Sequence, residues 1–327
     1  MTIPDVSAPE ITPLFLVGCW RSGTSVLTQI LSAHPRIQWI GWEMNNEWQK
    51  YGGIKLNEGD DFTPYQGPEE VDASSISRMT SLFYQELLKI YIKENHKNLN
   101  LGGLFNYPTQ VVPLNKSPNL INKIPYLKAM FPKSKFIYIL RDIYSFSNSY
   151  KRHITKLGYE QRQQISYWPD ENETTKQSEF KDVNSWVTFP VAEQERFPKD
   201  RVYPGDGFKR IPEAWIKLNA GALQSLEEFA KDDWIGVYFK DLMTDGEETA
   251  QRVFDFLGYE KLNINLPDNL LDLKLKHNYT LTKGDPLKQY KDELSDDEMM
   301  SIETALDMYD SRYAFIKKHM PRIHSNG

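Results

Sequence analysis

The 327-residue sequence predicts an α/β fold, a parallel β-sheet flanked by helices. Three observations carry that expectation. Residues 14–18 (LFLVG) form a short apolar run that passes directly into a glycine loop and then into apolar positions at helical spacing. Residues 135–140 (KFIYIL) have the apolar continuity of a strand buried on both faces, and the run stops at Arg141-Asp142 before a second helical stretch. Strand-like and helix-like segments then alternate along most of the chain, with no internal repeat.

Taken in order, Val26, Leu27, Ile30 and Leu31 define the first helix face, which His34-Pro35 closes. Residues 37–40 read as a second short strand, followed by Gly41-Trp42-Glu43. The stretch 45–75 is polar and reads as loop, and a helix is expected over 76–94, with Leu82, Phe83, Leu87, Leu88 and Tyr91 on one face. Asn115-Lys116-Ser117-Pro118 precedes a helix expected to run through Met130, with Ser117 as its cap and Pro118 at its first position. After the 135–140 strand comes a helix over roughly 143–156.

Regularity fades over 160–212, a charged segment carrying Trp168, Trp186, Phe189 and Tyr203. It resumes with a helix near 213–230 and a strand at 234–239. Thr244-x-x-Glu247 reads as a capping box before a helix that Gly258 ends, and Ser295-x-x-Glu298 as another helix start. The chain is therefore read as one domain over 1–327. Its core spans 14–160 and 213–310, and 160–212 is an insertion.

Composition narrows the partners. A formal charge of −6 speaks against broad nucleic-acid binding, which needs an extended basic surface, yet leaves room for a basic pocket holding one anion. The single cysteine, Cys19, cannot form an internal disulfide, and no cluster has zinc-ligand spacing. The N-terminus lacks a basic region followed by an apolar stretch, and no apolar run reaches membrane-spanning length, so a cytoplasmic protein without a membrane span is expected. Oligomeric state is not legible.

The loop GCWRSGTS, residues 18–25, has the glycine spacing of a phosphate-binding loop, but Thr24 occupies the usual lysine position and Arg21 supplies a cation earlier. Amides of Ser22, Gly23, Thr24 and Ser25 can surround phosphate oxygens, with hydroxyls adding donors. The alternative is a plain glycine turn between strand and helix. Arg141 stands at a strand end, and Ser145 and Ser149 lie one helical turn apart beyond it. An arginine and a hydroxyl there can bind a second phosphate, or Arg141-Asp142 can simply cap the helix. In open parallel sheets, ligands sit at the carboxyl ends of strands, where 18–25 and 141–149 lie and where 115–118 can lie beside them.

Together, RSGTSVLTQILSAHP (21–35), GWE (41–43), NKSP (115–118) and YILRDIYSFSNS (138–149) resemble the PAPS-dependent sulfotransferases, in particular the branch of tyrosylprotein and bacterial carbohydrate sulfotransferases. The resemblance implies a sulfotransferase fold and transfer of a sulfuryl group from PAPS to an acceptor hydroxyl, releasing PAP. It implies that Arg21, Ser22, Gly23, Thr24 and Ser25 hold the 5′-phosphosulfate and that Arg141 and Ser149 hold the 3′-phosphate. It further implies that Glu43 is a catalytic carboxylate and Lys116 a lysine near the transferred group. Acceptance of the hydroxyl proton by Glu43 calls for partial burial, which raises a carboxyl pKa, while Arg21 and Lys116 supply the positive field. The chain departs from the family in three places. LNKSPNL lacks the histidine base of the cytosolic branch, FKDL (239–242) replaces Y-E-D-L, and KGDPLKQY (283–290) replaces a glycine-tryptophan segment. Lys283, Gly284 and Lys288 are the candidates there for nucleotide contact.

No metal is called for. The acceptor reads as a carbohydrate or small-molecule alcohol, with the 160–212 aromatics as candidate acceptor surface. The rival readings are a P-loop kinase or other nucleotide phosphotransferase, and a catalytically inactive nucleotide-binding protein. Cys19 and His34 read as packing residues, and His153 as a possible aid to the second phosphate site.

Overall fold

In the computed structural model the described residues are 11–156 (apart from 42, 56, 59–60, 63–64 and 98–99), 208, 210–263, 266, 270 and 285–323. Most of the 160–212 insertion, with its aromatics, lies outside them, as do Lys283, Gly284 and the side chain of His153.

Five strands make one all-parallel sheet: β1 (Leu14–Gly18), β2 (Ile37–Trp39), β5 (Val112–Lys116), β6 (Lys135–Leu140) and β7 (Trp234–Tyr238). Their order across the sheet is β2-β5-β1-β6-β7. β3 (Asn57–Glu58) and β4 (Asp61–Phe62) pair separately as a small antiparallel hairpin. The helices are α1 (Thr24–Leu31), α2 (Asn45–Lys50), α3 (Ala73–Glu94), α4 (Leu101–Gln110), α5 (Ile124–Met130) and α6 (Ile143–Lys156). Beyond the insertion follow α7 (Arg210–Phe229), α8 (Phe239–Thr244), α9 (Gly246–Leu257), α10 (Tyr290–Glu293), α11 (Asp296–Met308) and α12 (Asp310–Ile323).

Both sheet faces are buried, which is why β1 and β6 read as continuous apolar runs. Alternate side chains go to opposite faces. Leu14, Leu16, Leu114, Ile137, Ile139 and Val237 meet α1 and α9 through Val26, Leu27, Ile30, Val253 and Phe254. Phe15, Val17, Phe136, Tyr138 and Leu140 face the larger core, built from Met79, Phe83 and Leu87 of α3, Leu127 of α5 and Leu223 of α7.

Several expectations need correction. β5 is a strand that the sequence reading did not mark, because Pro113 and Asn115 hide a buried segment placed between β1 and β2. The helix expected from Pro118 to Met130 is divided into a 3-10 turn (Pro118–Leu120) and α5, whose Pro125 suits a first turn and not an interior. Ser117 does not cap it; its hydroxyl donates to Asn45 Oδ1 at 3.0 Å. The 45–75 stretch contains α2, held by the fully buried Trp48. The cap of α9 is Asp245, whose carboxylate accepts from the Glu248 amide at 3.2 Å, one residue beyond the expected Thr244. The Gly258 end of α9, at φ 72°, and the Ser295/Glu298 capping box of α11 are as expected.

Candidate active site

The sheet order sets out the site. Moving across the carboxyl ends from β2 to β6, one meets Glu43, then Lys116, then the glycine loop, then Arg141. With neighbouring strands about 4.8 Å apart, these span roughly 14 Å of one sheet edge.

The loop begins where β1 ends. A backbone bond from the Ser22 amide to the Cys19 carbonyl, 3.2 Å, closes a turn whose third residue, Arg21, has φ 65°. That is a position and sign usually taken by glycine. Gly23 follows at φ 95° and precedes α1 without any side-chain cap, so the first amides of the helix point out of it unpaired by a cap. The Ser22 hydroxyl is buried and has no hydrogen-bond partner among the described residues. Buried polar groups are ordinarily paired, so this orphan beside an uncapped helix start fits an anion's oxygens. Gly23 is also required sterically: a Cβ there would lie 2.5 Å from the Phe239 ring.

On the β2 side, Lys116 Nζ donates to Glu43 Oε1 at 2.6 Å, and Asn45 Nδ2 donates to Glu43 Oε2 at 3.2 Å. Both carboxylate oxygens are thus engaged. The Lys116 side chain is 3% exposed and that of Glu43 28%. Glu43 reaches this place through a tight loop with Gly41 at φ 98° and Met44 at φ 57°. Behind it, the Trp48 indole donates to Asn115 Oδ1 at 3.0 Å, locking α2 to the strand that carries Lys116.

On the β6 side, the Arg141 guanidinium is buried and held through each of its three nitrogens. Nε donates to Ser145 Oγ at 2.9 Å, Nη1 to the Arg21 carbonyl at 2.9 Å and Nη2 to the Pro286 carbonyl at 2.7 Å. Its plane lies against the Phe239 ring, with Cζ 4.4 Å from the centroid. Burial lowers its pKa to about 9, with Asp142 opposing and the nearby Arg21 and Arg152 charges adding to the drop. It still carries its charge at neutral pH, and an anion arriving beside it relieves both costs. Ser149, one turn along α6 from Ser145, is buried.

The predicted residues Arg21, Ser22, Gly23, Thr24, Ser25, Glu43, Lys116 and Arg141 therefore lie at or just beyond the carboxyl ends of four adjacent strands, while Ser149 lies about two turns into α6. The contact between Glu43 and Lys116 is direct. Asn45, Phe239 and Pro286 were not among the predicted site residues. Phe239 and Pro286 stood out in the sequence only as parts of segments that depart from the family pattern, and nothing local marks Asn45. Lys288 is exposed, lies 3.8 Å from Asp285 and stands two residues beyond Pro286, whose carbonyl accepts from Arg141. Cys19 is buried and its thiol pKa is pushed far up by that burial, which keeps it unreactive. Among the described residues no His/Cys/Asp/Glu group has metal-site geometry, and no helix is long and apolar enough to cross a membrane.

The structure is an α/β protein: a five-stranded all-parallel sheet flanked by helices, with a glycine loop joining β1 to an α1 that no side chain caps. The chain belongs to the sulfotransferase family, whose profile matches residues 13–204. Among solved structures, a sulfotransferase from Alicyclobacillus acidocaldarius aligns at 15% identity over 96% of this chain and 97% of its own, with a TM-score of 0.46. The sulfotransferase domain from the curacin biosynthetic pathway aligns at 16% identity over 91% of this chain and 98% of its own, TM-score 0.43. The sulfotransferase domain of a Synechococcus olefin synthase aligns at 15% over 91% and 97%, TM-score 0.43. No curated protein matches the chain.

Proposed function

We propose that the protein transfers the sulfuryl group of PAPS in line to an acceptor hydroxyl and releases PAP. The observation that carries this reading is the Glu43–Lys116 pair, set beside an anion-binding loop at the carboxyl edge of the sheet of a sulfotransferase.

In this reading the loop amides and the Ser22 hydroxyl take the 5′-phosphosulfate of the cosubstrate, which supplies an activated sulfur–oxygen bond. Gly23, Thr24 and Ser25 give the loop its close approach and its further donors. Arg141 and Ser149 take the 3′-phosphate on the β6 side, where the buried guanidinium gains an anion. Glu43 accepts the proton of the acceptor hydroxyl as the oxygen bonds to sulfur. The bond from sulfur to the phosphate oxygen breaks, its electron pair leaves with PAP, and Lys116 and Arg21 stabilise the charge that develops there. Glu43 does this from a position paired with Lys116 and hydrogen-bonded to Asn45.

The acceptor is a carbohydrate or small-molecule alcohol in this reading, approaching on the β2 side where Glu43 stands. Thermal melting tests the cosubstrate: PAP raises the midpoint by several degrees, more than ADP does, without magnesium. Equal or greater stabilisation by Mg-ATP favours a nucleotide phosphotransferase and removes the proposal.

A further inference from the structure

Arg141 stands in the reading above as a ligand of the 3′-phosphate, yet one of its hydrogen bonds in the protein reaches the glycine loop itself, at the Arg21 carbonyl. The loop turn puts an arginine, Arg21, at φ 65°, where a side chain costs energy and the surrounding structure has to impose the conformation. The group that fixes the Arg21 peptide is the Arg141 guanidinium, 2.9 Å from the Arg21 carbonyl oxygen.

That guanidinium is itself placed from several sides. Ser145 accepts from Nε, and Asp142 orients Ser145 in turn, accepting both its hydroxyl and, at 2.8 Å, its amide. The Pro286 carbonyl takes Nη2, so a segment far along the chain braces the same group. The Phe239 ring lies under its plane and also fills the space beside Gly23. A shift of Arg141 is therefore transmitted to both left-handed residues of the loop, through a hydrogen bond at Arg21 and through ring contact at Gly23.

We propose that Arg141 is a positioning residue for the glycine loop, so that occupancy of the second anion site and order in the first are linked. The inference rests on the sulfotransferase reading and deepens it. The 3′-phosphate then does more than add contacts: it steadies the group that holds the 5′ site in shape. Linkage of this kind is reciprocal, so loop occupancy strengthens the second site by the same factor.

The test uses two ligands that share adenosine 5′-phosphate: PAP adds the 3′-phosphate, and adenosine 5′-phosphosulfate adds a sulfuryl group at the 5′ end instead. Dissociation constants are measured by titration calorimetry for PAP, and by displacement for adenosine 5′-phosphosulfate, which has no 3′-phosphate. The proteins are wild type, Arg141→Lys, Ser145→Ala and Ser149→Ala. Arg141→Lys keeps a charge but loses the fork that reaches Ser145, Arg21 and Pro286 together; it is expected to weaken both ligands by about tenfold or more. Ser149→Ala is expected to weaken PAP alone. Ser145→Ala keeps the guanidinium and removes one brace, and it decides the matter should the lysine variant fail to fold: it is expected to weaken both ligands several-fold. In the ligand-free protein, the same Ser145→Ala change is expected to speed amide exchange in the loop, while Ser149→Ala leaves it unchanged. Adenosine 5′-phosphosulfate binding and loop exchange at wild-type values in both Arg141→Lys and Ser145→Ala would leave Arg141 a phosphate ligand only and overturn the inference. Failure of the wild-type protein to bind PAP overturns the sulfotransferase reading, and this inference with it.

Discussion

The Lys116 ammonium lies 2.6 Å from a Glu43 carboxylate oxygen, tying the end of β5 to the loop that follows β2. Lys116 is almost wholly buried while Glu43 is partly exposed, so the carboxylate presents one side to solvent and the other to its cation. Removing the anionic partner of a buried cation costs more than replacing it with a neutral acceptor. Glu43→Ala is expected to lower unfolding stability by about 1.5–3 kcal/mol, and Glu43→Gln by less than half of that, because the amide oxygen still accepts from Lys116. Urea unfolding of the two variants checks the order; equal losses would mean that the pair is energetically idle.

Asn45 holds the second oxygen of Glu43 and is itself oriented by the Ser117 hydroxyl. Without it the carboxylate is free to rotate about its bond to Lys116. Asn45→Ala is expected to reduce kcat about tenfold with PAP affinity unchanged, since a proton acceptor acts in the transition state and not on the nucleotide. Loss of PAP affinity with kcat intact would place Asn45 on the nucleotide side instead.

Gly23 combines a left-handed backbone, φ 95°, with direct contact to the Phe239 ring. Alanine there meets a conformational penalty of about 1–2 kcal/mol in addition to the ring clash. Gly23→Ala is expected to abolish measurable PAP binding while the fold, judged by far-ultraviolet circular dichroism, persists. A double change with Phe239→Ala, which opens the space but leaves the backbone penalty, is expected to restore binding only in part. Full binding in the single variant would show that the ring and the loop yield freely.

His34 is buried between Phe254 and Tyr259, with ring centroids 4.8 and 4.9 Å away, and its Nδ1 accepts the Arg36 amide at 3.2 Å. Burial lowers its pKa below the usual 6.5, against an opposing effect of Glu260. A histidine with a depressed folded pKa takes up protons more readily when unfolded. Its contribution is therefore constant above the unfolded pKa and is lost progressively as pH falls through about 6.5 toward the lower folded value. Urea midpoints are expected to fall over that range in the wild type and to fall less steeply in His34→Phe, which keeps the ring contacts. Parallel profiles would assign the acid loss to other groups.

The parts of this fold legible in the sequence are those whose burial is complete and local. β1 and β6 are covered on both faces, so apolar continuity marks them, and the expected limits of both coincide with the observed strands. β5 carries a proline, an asparagine and a lysine because it delivers polar groups to the site, and that function erases the strand signal. The same holds for α2, a short polar helix secured by one tryptophan. At the site, the glycine loop and Arg141 were visible because glycine spacing and a strand-end arginine are local features. The contact between Glu43 and Lys116 was not visible as a distance, since it depends on β5 lying beside β2. Asn45 and Pro286 matter through hydrogen bonds to residues far away in the chain, and a single sequence has no mark for that.

In the proposed reaction Glu43 accepts a proton from an acceptor hydroxyl as the sulfuryl group leaves PAPS. The most direct measurement of this step is PAP release from labelled PAPS over a panel of carbohydrate and small-molecule alcohols, compared between wild type and Glu43→Gln under conditions where both are saturated with cosubstrate. Acceptor-dependent PAP release is expected from the wild type, and a rate at least about a hundredfold lower from Glu43→Gln with PAP binding retained. Wild-type rates in the glutamine variant would contradict it.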